Sequence, residues 1–185
     1  MKTILIILGT EQSALARGDF NKGLFETAVE ILSAKYKILT TIIDDGYDSS
    51  EEIKKFKKAD FIIYQYPIYW YTHPASLKEY TDNVFRYGDF FTFKNGLYKP
   101  EGLLEGKSFM LSTTWSSPAD AFNNEDSPLK GSSIDEMLLP MRRSNTFCGL
   151  TELEHFSCHN VVMDPQFDKD KHRYIKHLTK TFKLK

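Results

Sequence analysis

Asp60-Phe61-Ile62-Ile63-Tyr64-Gln65-Tyr66-Pro67-Ile68-Tyr69-Trp70-Tyr71-Thr72-His73-Pro74 decides the fold, because a buried strand must end inside it. Phe61 to Tyr64 is a short apolar run rich in β-branched and aromatic residues, the pattern of a strand covered on both faces. Pro67 stops it. Tyr69, Trp70 and Tyr71 stand in a row bracketed by Pro67 and Pro74, so they cannot all enter one core, and at least one ring is expected to line a cleft. Pro74 suits the first turn of a helix, where its missing amide hydrogen costs nothing. Leu77, Tyr80, Thr81, Val84 and Phe85 follow at helical spacing.

The rest of the chain repeats this alternation. Thr3 to Leu8 is an uninterrupted apolar run ending at Gly9, as in a central parallel strand. After a loop from Thr10 to Gly18, Asp19 can cap a helix whose Phe20, Leu24, Ala28, Ile31 and Leu32 recur every three or four residues. Lys37 to Ile43 is a second strand, and an acidic stretch leads into a polar helix from about Ser50 to Lys58. Tyr87 to Gly106 is a long connection, too aromatic for a solvated loop and expected to cover something. Lys107 to Thr114 is a fourth strand and Leu153 to Val162 a fifth. Helical stretches around Pro140 lie between them, over Ile134 to Phe147, and Pro165 to about Phe182 forms a closing helix. This pattern predicts an α/β fold: a flavodoxin-like, five-stranded parallel sheet of order 2-1-3-4-5, with helices on both faces. Such sheets bind ligands beyond the carboxyl ends of their strands, where strand order reverses. Gly9 to Gly23, Pro67 to His73 and Thr114 to Ser117 would meet there.

The 185 residues suit a single domain, 1–185, large enough to bury a core without disulfides or metal. Lys plus Arg number 24 against 25 Asp plus Glu, so no basic field marks a nucleic-acid binder, and a small or neutral partner fits better. Cys148 and Cys158 are too few for a disulfide framework, and the chain opens directly on strand-like sequence, so a cytoplasmic protein is expected. No apolar run approaches the ~20 residues of a membrane-spanning helix. Gly102-Leu-Leu-Glu-Gly106-Lys107-Ser108 is one residue short of a P-loop and precedes a strand instead of following one. His155-Phe-Ser-Cys158-His159 offers metal-ligand types, but no second cluster completes a site, and no metal is expected.

Gly18-Asp19-Phe20-Asn21, Gln65 to Trp70, Lys78 with Tyr80 to Phe85, and Leu111 to Pro118 with Ala121-Phe122 resemble the flavodoxin-like NAD(P)H:quinone oxidoreductases. The likeness is greatest to the bacterial modulator of drug activity B type and runs over nearly the whole chain. It implies a homodimer with one FAD per active site, each site shaped by both subunits. It places the FAD diphosphate at Ala16, Arg17, Gly18, Asp19, Phe20, Asn21, Lys22 and Gly23, and the isoalloxazine beside Pro67, Ile68, Tyr69 and Trp70, with Tyr71 as a further cofactor-binding candidate. Further contacts fall at Tyr98 and at Thr114, Trp115, Ser116 and Ser117. The activity implied is two-electron hydride transfer from NAD(P)H, with a lean to NADPH, through the flavin to a quinone or other flat acceptor. Backbone amides of Ile68 to Tyr71 would steady the reduced ring, and Phe91, Phe93, Phe122 and Trp115 would wall the acceptor. Thr72 and His73 stand where the family usually has small residues, and His73 is the candidate proton source. Two other readings share the fold: an FMN-dependent azo- or nitroreductase, and a non-catalytic regulatory subunit of a potassium efflux system.

Overall fold

A computed structural model of the chain describes residues 1–11, 18–94 and 99–184. Its parallel strands are β1 (Thr3–Leu8), β2 (Lys37–Ile42), β3 (Phe61–Pro67), β6 (Ser108–Thr114), β7 (Thr151–Glu152) and β8 (Phe156–Cys158). They form one sheet in the order β2-β1-β3-β6-β7, with β8 also on β6. Side-chain alternation divides the central strands between two cores. Leu5, Ile7, Ile62 and Tyr64 pack under α2 (Ser49–Lys58), α3 (Ala75–Val84) and α5 (Leu139–Phe147). Ile4, Ile6, Ile63 and Met110 pack under α1 (Asp19–Ser33) and α6 (Phe167–Thr181). Short α4 (Ile134–Met137) borders the first of these cores. No helix among the described residues is long and apolar enough to cross a membrane.

The expectation of five strands needs correcting. The outer position is shared by β7 and β8, which makes the sheet six-stranded. Between them, three steps along β6, from Phe109 to Ser112, face four steps along the outer strand, from Glu152 to Phe156. The extra residue is a bulge. His155 sits in it, and its Nδ1 accepts the Leu111 N–H at 3.2 Å, where a ladder carbonyl would otherwise serve. The connection after α3 is not merely a loop either: β4 (Phe91–Phe93) and β5 (Pro100–Gly102) pair antiparallel in a separate hairpin.

Two helix starts also differ from the sequence reading. Gly18, with φ of 75°, takes the N-cap of α1, and Asp19 is the first helical residue, not the cap. Pro74 takes the N-cap of α3, one position before the first turn.

Candidate functional site

β1, β3 and β6 all end at the same side of the sheet, and a hollow of about 440 Å³ opens there, within the range of small-molecule sites. Its floor is a buried polar relay. Gln65 at the end of β3 donates from Nε2 to Asn21 Oδ1 at 2.7 Å. Asn21 in turn donates from Nδ2 to Thr114 Oγ1 at 2.8 Å, so α1, β3 and β6 are locked together beneath the opening. Gln65 Oε1 is buried and left without a partner among the described residues.

One wall is the start of α1, where Gly18, Asp19, Phe20 and Asn21 line the hollow. Gly18 has no side chain to cap the helix, and among the described residues no side-chain acceptor meets its first-turn amides, so this end of α1, with the positive end of the helix dipole, suits an anion. The exposed Asp19 carboxylate stands at the same end and opposes that attraction. Lys22 is exposed and does not line the hollow. Gly23 serves packing: a Cβ there would meet the Phe167 ring at 2.5 Å. Ala16, Arg17 and Tyr98 lie outside the described residues.

Pro67, Ile68 and Tyr69 from the end of β3 also line the hollow, with Thr114 and Ser116 from the end of β6. Beyond Tyr69 the chain turns back within two residues. Tyr69 and Thr72 exchange backbone hydrogen bonds of 2.8 and 3.0 Å, and Trp70 and Tyr71 between them take φ of 46° and 69°. This is the tight hairpin geometry with positive φ at both central residues, usually given to Asn-Gly. It uses up amides: Ile68 N–H goes to the Thr114 carbonyl at 2.9 Å and Tyr69 N–H to Thr72. Of the four amides proposed as ligand donors, only those of Trp70 and Tyr71 have no backbone acceptor among the described residues. The Trp70 side chain is 91% exposed and that of Tyr71 53%, and neither lines the hollow.

Several residues singled out in the sequence are placed elsewhere. Trp115 is buried in the core, its indole N–H donating to Thr113 Oγ1 at 2.9 Å and its ring edge-on to Phe122 at 5.0 Å. Neither ring lines the hollow. Ser117 spends its carbonyl on the Asn160 N–H, at 3.1 Å. Phe91 and Phe93 pack against Phe147, at 5.1 and 6.1 Å, and Phe91 borders a second hollow of about 420 Å³ between α3 and α5. His73 does not line the first hollow; its Nδ1 lies 3.2 Å from the Thr72 hydroxyl. Burial, and then the Lys78 charge, holds its pKa below the usual imidazole value, with Asp82 opposing.

Val161 and Val162 were missed, and they complete the hollow. Val161 N–H donates to the Trp115 carbonyl at 3.1 Å, which holds this stretch beside Ser116. The signal was present: two valines and a methionine at a strand's carboxyl end, with Val162 and Met163 exposed. A larger groove, about 860 Å³, runs along β7 and β8. Its carboxylates are already paired, Asp135 and Glu152 with Arg142 and Glu154 with Lys180. Among the described residues no group of three His, Cys, Asp or Glu converges as metal ligands do.

A doubly wound parallel sheet with a helix N-terminus and the ends of its central strands around one hollow has the architecture in which open α/β sheets hold ligands, at the switch point of strand order. The chain belongs to the flavodoxin-like fold family, whose profile matches residues 3–181, among the NAD(P)H:quinone oxidoreductases. It is 34% identical to the NADPH:quinone oxidoreductase MdaB of Haemophilus influenzae, over 97% of this chain and 98% of that protein. Solved structures share the fold. One is general stress protein 14 of Treponema denticola in complex with FMN, with TM-score 0.76, 21% identity and coverage of 98% and 99% of the two chains. Another is an FMN-dependent NADH-azoreductase of Bacillus anthracis, with TM-score 0.70, 16% identity and coverage of 97% and 99%.

Proposed function

We propose that this protein is an FAD-dependent NAD(P)H:quinone oxidoreductase, a single unit of residues 1–185 that works as a cytoplasmic homodimer and favours NADPH. The observation that carries the reading is the hollow itself, lined by the uncapped start of α1 and by Pro67, Ile68 and Tyr69. The near full-length relationship to MdaB supports the choice of chemistry. A bound flavin would accept a hydride from NAD(P)H and deliver two electrons to a quinone.

The chain's own part is binding, orientation and proton supply. The first turn of α1 holds the phosphates through backbone amides. Asn21, fixed between Gln65 and Thr114, keeps that turn at a set distance from β6. Pro67, Ile68 and Tyr69 would pack against a flat ring, and Val161 and Val162 add apolar surface to the same hollow. The amides of Trp70 and Tyr71, which have no backbone acceptor among the described residues, are the donors proposed for a ring oxygen, each hydrogen bond to a charged group contributing roughly 1.5–3 kcal/mol. His73 is the proposed proton source at the turn. A donor must be protonated, so His73-dependent turnover rises as pH falls through its lowered pKa. Removing the Lys78 charge moves that rise to higher pH, and removing Asp82 moves it lower.

The test is a visible spectrum of the purified protein with added FAD, before and after NADPH, followed by NADPH oxidation with menadione. Bleaching and menadione-dependent turnover are expected. A protein that takes up no flavin rejects the reading, and flavin uptake without NADPH oxidation points to the regulatory subunit. Chromatography of the heat-released cofactor separates FAD from FMN, the reading that the FMN-bound structures of the same fold favour. Unchanged turnover of His73→Ala across about pH 5–8 would remove His73 from the mechanism.

A further inference from the structure

We infer that Glu11, which does not line the hollow, positions the aromatic turn and sets the charge beside Tyr69. Helix α3 opens at Pro74, whose side chain has no oxygen with which to satisfy the first-turn amides. The acceptor comes from 65 residues earlier in the chain: Glu11 Oε1 takes the Ser76 N–H at 2.5 Å. Glu11 lies two residues after Gly9, whose N–H is held by the Gln65 carbonyl at 2.9 Å. Gly9 also lies against Leu77 of α3, where a Cβ would come within 3.0 Å of the side chain. One carboxylate thus fastens the end of β1 to the residues just after the Tyr69–Thr72 turn.

The same charge reaches Tyr69, where after burial it is the second cause raising the phenol pKa. Tyr69 is the member of the turn that lines the hollow. Glu11 therefore has two separable effects: its hydrogen bond sets where the turn lies relative to β1, and its charge sets the local potential. It is a positioning residue. Only the effect on a bound ring rests on the flavin reading; the other two belong to the protein alone.

Two variants separate the effects. Glu11→Gln keeps an Oε1 acceptor and loses the charge, while Glu11→Ala loses both. In the ligand-free protein, amide hydrogen exchange over residues 69–78 should quicken about tenfold in Glu11→Ala, the usual consequence of losing a helix cap, and stay near wild type in Glu11→Gln. Tyrosine ring NMR should show Tyr69 titrating at lower pH in Glu11→Gln. With FAD loaded, the flavin midpoint potential should move positive in both variants, because a negative charge nearby opposes added electrons. Wild-type exchange in Glu11→Ala overturns the positioning role, and an unmoved Tyr69 titration in Glu11→Gln overturns the electrostatic one. If no flavin binds, the exchange and titration still decide Glu11, so its failure is distinct from failure of the flavin reading.

Discussion

Trp70 and Tyr71 hold a backbone conformation that bulky side chains avoid, at a cost on the order of 1–3 kcal/mol each. The turn tolerates it because Tyr69 and Thr72 are tied across its base by two hydrogen bonds. Tyr71→Gly should therefore stabilise the protein by ~1 kcal/mol in urea unfolding, since glycine meets no penalty at positive φ. Its quinone turnover should fall, because a looser turn no longer presents its amides in one place. Asp19 makes a second residue-scale prediction. Its carboxylate shares the α1 end with the proposed phosphates, so Asp19→Asn should tighten FAD binding by about two- to fivefold at low salt, read by fluorescence titration. Little of the Trp70 to Tyr71 geometry was legible in the sequence, because φ depends on how the flanking residues pair.

Among the elements, the bulge between β7 and β8 carries a titratable group inside a hydrogen-bond ladder. His155 can accept the Leu111 N–H only while its Nδ1 is unprotonated. Burial lowers its pKa most. Glu152 and Asp135 raise it, and Arg142 and His177 lower it. A histidine with a depressed folded pKa contributes stability that is present in full above the unfolded value of about 6.5 and is lost as pH falls through the folded value. Stability measured by urea unfolding should thus drop on acidification from pH 8, and His155→Ala should flatten that drop. At pH 8 the same variant should cost ~1–3 kcal/mol, because the Leu111 N–H is left buried without an acceptor. The β4–β5 hairpin gives another test. Gly102 lies against the turn after α5, where a Cβ would come within 2.3 Å of the Gly149 backbone nitrogen. A backbone neighbour cannot swing aside, so Gly102→Ala should destabilise by about 1–3 kcal/mol, visible as a lower urea midpoint at unchanged m-value.

For the molecule as a whole, the proposed ligand would be coupled to stability through the Gln65, Asn21 and Thr114 relay, which ties α1 to β3 and β6 beneath the opening. FAD at one hundred times its Kd should raise stability by ~2.7 kcal/mol and lift the melting temperature accordingly. An absent shift in differential scanning fluorimetry, where a known flavoprotein responds, would count against the proposed ligand. Linkage of this kind also ranks FAD against FMN without an activity assay.

What the amino-acid order determined by itself was whatever depends on neighbours in the chain. Unbroken apolar runs at Thr3 to Leu8 and Phe61 to Tyr64, spaced by helical periods, already required a parallel sheet covered on both faces. That in turn pointed to the loops after β1, β3 and β6 as the proposed ligand end. Only the tertiary structure decided which side chains reach it. Trp115 and Phe122 turned into the core, and Val161 and Val162 came to the opening. His155 replaced a carbonyl in the outer ladder, and Glu11 capped a helix whose own N-cap is a proline. Each of these outcomes joins residues tens of positions apart. Hydrogen-bond and packing partners at that separation are selected by how elements dock, and local periodicity carries no record of them.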